Sequence, residues 1–308
     1  MNHKKVAGAE VAAPAAPRQP LEGMSVKIVL RKQNPDGGWP YVRGVSWTEP
    51  TVYAVLALMA AGEMEPSRRG LAWLRERQLA DGGWPPQSSV DESTWVTSLV
   101  ALIPEEHLGP AVHSRAIAWL TSCKGEESRP MYRFREWLLG NPRSPEQEFP
   151  GWPWVPGTAA WVAPTSLAIL ALDKQQRRRP SATIGTRIEE GRRFLLKRMC
   201  RGGGWNHGSV RALGYESNPY PETTGMALAA LRGVQASELS RAIPLARQFL
   251  AACRSADAMN WLRLGLMAHG QLDPGFRPLV SIAYRTLPET SLDLLVAEAQ
   301  KGREVFWS

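Results

Sequence analysis

A short unit recurs along this chain with its internal spacing kept: an apolar-patterned helix, then a Gln, a glycine pair and a Trp. Gln33 stands six residues before Trp39, and Gln78 six before Trp84. Met199 takes the Gln place six before Trp205. Each Trp follows two glycines, Gly37-Gly38, Gly82-Gly83 and Gly203-Gly204. Such a period points to a repeat architecture, in which each unit buries its apolar face only against its neighbours.

Between these marks two kinds of helix alternate. One kind is amphipathic, with a charged side, over 23–33, 66–78, 110–123, 184–200, 240–254 and 274–286. The other is apolar nearly all round, over 51–58, 94–102, 165–172 and 223–231, and more loosely over 258–268 and 290–301. A helix apolar on every side has to be enclosed, whereas a charged stripe faces water. Six such pairs predict an all-α fold, a single (α/α)6 toroid. Residues 1–20, rich in Ala and Pro, read as a disordered leader, and 21–308 as one barrel domain with an insert at about 125–150. Within that insert 132–139 predicts an extra helix, on a surface excursion or a lid.

In Arg69-Gly70-Leu71-Ala72-Trp73-Leu74-Arg75-Glu76-Arg77-Gln78-Leu79-Ala80-Asp81-Gly82-Gly83-Trp84 the unit resembles the QW motif of the squalene-hopene and oxidosqualene cyclases. These enzymes belong to a wider group that includes terpenoid cyclases and protein prenyltransferases. Residues 23–39 and 191–205 match in part. The resemblance implies the same helical barrel, an isoprenoid ligand and, for an enzyme, cyclisation started by protonation. The motif itself reads as a structural tie: the Gln amide bridges a helix end and a neighbouring backbone, while the Trp caps the apolar layer with one N–H to donate.

In the family the acid lies in an Asp-x-Asp-Asp motif at the start of an inner helix. The matching stretch here is Ser89-Val90-Asp91-Glu92-Ser93-Thr94, so Asp91 and Glu92 are the expected catalytic acids, with helix capping as the competing role. Protonation of Asp91 at neutral pH requires burial to outweigh the helix dipole. The expected substrate wall is aromatic: Trp47, Trp95, Trp154, Trp161 and Tyr220, grouped near inner-helix starts, with the 151–157 loop the densest part. His207 and Glu222 complete it, either sharing a proton or meeting a diphosphate. Glu49, Glu92 and Glu222 each open an inner helix, which places them around one mouth of the ring.

The same barrel binds zinc in protein prenyltransferase β-subunits through Asp, Cys and His. No inner-helix start here carries Asp-x-Cys, and no Asp-Asp-x-x-Asp run is present for magnesium, so neither metal nor cofactor is expected. The net charge of +8 suits an anionic partner such as a diphosphate or a membrane surface. It is diffuse, without a nucleic-acid motif, and nucleic acid is not an expected partner. Three cysteines without CxxC spacing point to a reducing cytoplasm, with peripheral membrane contact in keeping with the charge. A second reading stands beside the cyclase: a non-catalytic isoprenoid-binding or scaffold subunit with a protein partner on its surface.

Overall fold

The structure, a computed structural model, describes residues 19–140, 149–208, 211–212, 215–235, 237–273, 275–276, 284–303 and 305–307. Six described helices are largely buried around their girth: α2 (Thr48–Ala60), α4 (Val96–Val100), α8 (Val162–Arg178), α10 (Pro221–Ala230), α12 (Ala256–Ala268) and α13 (Leu287–Gln300). Each packs on the next, and α13 returns to α2, so the inner ring closes. Outside it lie the amphipathic helices α1 (Gln19–Arg31), α3 (Met64–Arg75), α6 (Pro110–Ser122), α9 (Ala182–Lys197) and α11 (Ala242–Ala252). This is the expected (α/α)6 toroid, with one antiparallel pair of two-residue strands among the described residues, β1 (Arg211–Ala212) and β2 (Tyr215–Glu216). Short helices α5 (Glu105–Leu108) and α7 (Pro130–Leu138) sit in connections. The expected outer helix over 274–286 falls mostly outside the described residues. So do 1–18, while α1 begins inside the expected leader, at Gln19.

The repeated unit works as a hydrogen-bonded joint. Gln33 Nε2 donates to Gly37 O in its own turn and to Pro66 O at the start of the next outer helix, both at 2.9 Å. Gln78 does the same with Gly82 O and Val112 O, again at 2.9 Å. Arg69 and Arg115 close the two joints on the Gln side-chain oxygens. The Trp39 indole donates to Val29 O at 2.8 Å, and that of Trp84 to Leu74 O at 2.7 Å, satisfying carbonyls near the end of the preceding outer helix. Asp36 and Asp81 anchor the joints. Asp81 accepts from Gly83 N at 3.0 Å, Ser93 Oγ at 2.6 Å and Trp119 Nε1 at 3.0 Å. Burial alone would raise its carboxyl pKa, but these donors hold it below the usual carboxylate range.

The turn before each Trp needs backbone that L side chains rarely adopt. Gly82 has φ +96°, and a Cβ there would lie 2.7 Å from Arg115 O. On the inner ring, α10 and α12 meet backbone to backbone: a Cβ on Gly225 would come within 2.3 Å of Trp261 C. That contact has a chemical consequence at the pole of the ring where the inner helices begin.

Two sequence expectations need correction. Trp152, placed by pattern in an aromatic pocket loop, is the Trp of the third joint. It is fully enclosed, and its indole donates to Leu120 O at 2.8 Å. The spacing is hidden because the insert separates it from its acceptor Leu120 by 32 residues, where the Trp39 and Trp84 indoles reach back 10. Helix α4 is also shorter than 94–102. Trp95 N–H is committed to Trp154 O and Thr94 N–H to Trp84 O, each at 2.9 Å, and Pro104 follows closely.

Candidate functional site

Four inner helices start from an aromatic N-cap residue: Trp47 for α2, Trp95 for α4, Trp161 for α8 and Tyr220 for α10. The joints put three of them there; in the second joint Thr94 takes this place and Trp95 N–H goes to Trp154 O. Trp47 N–H donates to Trp39 O at 2.9 Å, Trp161 N–H to Trp152 O at 3.0 Å, and Tyr220 N–H to Trp205 O at 2.8 Å. None of the four sinks into the core. Trp47, Trp95 and Trp154 are half-buried, while Trp161 and Tyr220 are 38% and 47% exposed. Trp95 and Trp154 meet edge to face at 4.9 Å, and Tyr41 lies at 5.4 Å from Trp47 in the same manner.

Four helix starts carry acids, two of them alongside an aromatic N-cap. Glu49 on α2, Glu222 on α10, Asp257 on α12 and Glu289 on α13 all lie in first turns. In ring order these helices run α10, α12, α13, α2, an unbroken acidic arc, while α4 and α8 start from aromatic residues without an acid in the first turn. Acids suit helix N-termini in general, but here they also feel one another. The close α10–α12 contact, one turn beyond Glu222 and Asp257, brings those two carboxylates within mutual influence. Burial first, then the charges of Glu222 and Glu289, push the Asp257 carboxyl up to about 6, against a hydrogen bond from the Trp261 indole. Burial and the charge of Asp257 push Glu49 up to about 7, although the Tyr41 hydroxyl donates to its carboxylate and counters the rise. Tyr41 itself is held as a neutral donor, its hydroxyl raised by burial and by Glu49.

Beside this arc, His207 Nε2 lies 3.7 Å from Glu222 Oε1, and its ring packs on Tyr220 at 5.0 Å. His207 O accepts from Val162 N at 2.9 Å, which fixes the loop at the start of α8. The pole thus joins a proton-holding carboxyl, a histidine–carboxylate pair and a set of half-exposed rings. Among the described residues no group of three or more His, Cys, Asp or Glu is arranged to hold a metal ion.

Asp91 and Glu92 stand in the turn between Trp84 and α4. Both are exposed, and neither caps α4, whose N-cap is Trp95 with no side-chain cap bond. Asp91 is not enclosed as the sequence reading required. The hydrogen bonds show why the register differs from the pattern. Trp84 N donates to Thr97 Oγ1 as Trp39 N does to Thr51 and Trp205 N to Thr224. Thr97, not Thr94, is therefore the equivalent residue, and Asp91 and Glu92 fall in the surface turn between the joint and α4. Sequence pattern also passed over Asp257 and Tyr41. Asp257 was legible as an acid two residues after the helix-start Ser255, and Glu289 as part of the capping box formed with Thr286.

Comparison with known proteins agrees with the architecture. No protein-family model matches the chain. A stretch of 64 residues is 38% identical to lanosterol synthase of Aspergillus fumigatus, covering 20% of this chain and 8% of that enzyme. Another of 63 residues is 38% identical to a terpene cyclase/mutase of a Nectria species, covering 19% and 9%. The matches thus span under a tenth of either relative's length. In solved structures, the chain resembles a GH76 alpha-mannanase from Bacteroides thetaiotaomicron, with TM-score 0.61, 8% identity and coverage of 92% and 95%. It also resembles a GH8 endo-beta-1,4-glucanase from an Achatina fulica gut metagenomic library, with TM-score 0.59, 15% identity and coverage of 94% and 100%. At such identities the structural likeness shows the fold alone. The class is an (α/α)6 toroid, and the local sequence likeness is to terpene cyclases.

Proposed function

We propose that this pole binds a linear isoprenoid and cyclises it by protonation, with Glu49 in place of Asp91 as the proton donor. The observation that carries the reading is the Glu49 carboxyl, pushed up to about 7 beside Tyr41 and Asp257, on a ring of helix starts that also bears Trp47, Trp95, Trp154, Trp161 and Tyr220. At neutral pH such a group is about half protonated, whereas an ordinary carboxyl is almost wholly ionised. After Glu49 gives its proton to an alkene or epoxide, Tyr41 O–H and the α2 N-terminus receive the charge left on the carboxylate. The resulting cation passes along aromatic faces, each worth about 0.5–2 kcal/mol. The His207–Glu222 pair is positioned to take a proton at the end, so the net change is isomerisation.

The decisive experiment incubates the pure protein with squalene, its epoxide and prenyl diphosphates, without metal, and analyses extracts by mass spectrometry. Cyclic products from the wild type but not from Glu49→Gln support the reading. Products undiminished in that variant reject Glu49. Ligand recovered bound but unchanged favours the non-catalytic isoprenoid-binding subunit.

A further inference from the structure

Helix α9 carries two buried arginines, Arg187 within it and Arg198 at its C-cap, and the third joint accounts for only one. Arg187 lies over the Trp152 ring at 3.7 Å and donates to Cys123 O at 3.0 Å, so it ties that joint together. Arg198 turns to the loop of His207. Its Nη1 donates to Gly208 O, and its Nη2 lies 3.9 Å from Oε1 of the buried Glu127. A closed circuit runs between these partners. Glu127 accepts from Ala160 N, at 3.1 Å on one oxygen and 3.2 Å on the other. Two residues on, Val162 N donates to His207 O at 2.9 Å, and Gly208 returns the circuit to Arg198. The buried Asn206 holds the loop as well, its Oδ1 accepting from Gly208 N at 3.0 Å. The fit needs two glycines. A Cβ on Gly125 would meet Glu127 Oε2 at 2.5 Å, and one on Gly208 would meet the Trp161 ring at 2.8 Å.

We infer that Arg198 and Glu127 are positioning residues, which together set His207 against Tyr220 and Glu222 and hold Trp161 at the start of α8. Both of those site residues lie on the circuit, and both send their side chains out of it toward solvent. Because His207 is exposed, the core does not hold its ring. Its 3.7 Å separation from Glu222 depends on its backbone, which the circuit ties at His207 O and again at Gly208 O. An ion pair taken this far from water adds little net stability, and apolar residues of like volume could replace it without loss. What it supplies is direction: a planar guanidinium reaches a carbonyl and a carboxylate at once, in a fixed fork. The pair also joins the base of the insert, where Glu126 N donates to Thr158 O at 2.9 Å, to the His207 loop. Its effect on turnover rests on the cyclase reading; the placement of the two side chains does not.

The test compares two double variants of the full chain. Arg198→Met/Glu127→Gln removes both charges of the circuit together, so neither is left buried and unpaired. Arg187→Met/Glu190→Gln does the same at the joint, where Arg187 Nη1 and Glu190 Oε2 are 2.7 Å apart. The readout is the nuclear Overhauser effect between the ring protons of His207 and Tyr220, whose centroids lie 5.0 Å apart, measured beside thermal unfolding. The expected result is an effect weakened severalfold in the first variant and unchanged in the second. Arg198→Lys, which keeps the charge and loses the fork, should weaken it too, at a Tm close to that of the wild type. With squalene epoxide, the first variant should bind as much ligand as the wild type and form product about tenfold more slowly or worse. An undiminished Overhauser effect in the first variant and in Arg198→Lys, or an equal loss in both double variants, overturns the inference. A weakened effect in a protein whose wild type forms no product supports the positioning and rejects the cyclase reading.

Discussion

Replacing Glu49 by Gln tests the electrostatics of the pole without requiring a substrate. Its carboxyl lies at about 7 in the folded protein against an ordinary 4.5, because burial and Asp257 disfavour the charge. Between those values the folded state holds the proton more tightly than the unfolded chain, so stability falls as pH rises through that window. Each decade of proton affinity is worth about 1.4 kcal/mol. The two and a half decades between the values correspond to about 3 kcal/mol of lost stability above pH 7. Partial access of water trims this to about 1–3 kcal/mol. Gln keeps an acceptor for Tyr41 and has no charge to bury. The variant should therefore be more stable than the wild type at pH 8, by about that amount or about 2–6 °C in Tm. The gap should close as pH falls below about 4.5, where both states of the wild type carry the proton. Urea unfolding of both proteins at pH 5 and pH 8, followed by far-ultraviolet circular dichroism, measures it. A gap equal at the two pH values, or a less stable variant at pH 8, would refute the argument. A side chain that weakens the fold at working pH is the usual sign of a group retained for function.

Other consequences are open to measurement. Asp81→Ala leaves Gly83 N, Ser93 Oγ and the Trp119 indole without their acceptor, and should destabilise by about 3 kcal/mol in thermal unfolding at pH 7. Because burial is outweighed by those donors and the folded carboxyl lies below 3.8, part of this loss should vanish as pH falls through the lowered value. Gly225→Ala drives a methyl into the α12 backbone and should cost about 3 kcal/mol or more. If the variant still folds, the parted helices should lower the Asp257 carboxyl pKa toward its ordinary range, readable by carbon-detected NMR titration. Asp91→Asn alters only an exposed carboxylate and should leave both Tm and any turnover within error of the wild type, while a large loss of either would restore Asp91 to the site.

Much of this molecule follows from local pattern. All-round apolarity selects the inner helices because enclosure is the only way to remove such surfaces from water. Charge on one side marks the outer ones. The Gln–Gly–Gly–Trp spacing specifies a joint because every donor and acceptor it uses belongs to the turn or to an adjoining helix end. The aromatic N-cap residues could be listed from sequence for the same reason. Register and charge coupling could not. Whether Glu92 or Trp95 enters the first turn of α4 depends on which threonine receives the Trp84 amide, a contact across 13 residues that spacing leaves ambiguous. Trp152 belongs to a joint only because the fold brings it back to Leu120 across the insert. The carboxyl of Glu49 is raised by a closed ring, which removes water from it and sets α12 and α13 beside α10 and α2. A pKa depends on everything within a few ångströms, whatever its distance along the chain. For that reason Glu49 and Glu222 could be named from the sequence, but only tertiary structure raises the carboxyls of Glu49 and Asp257.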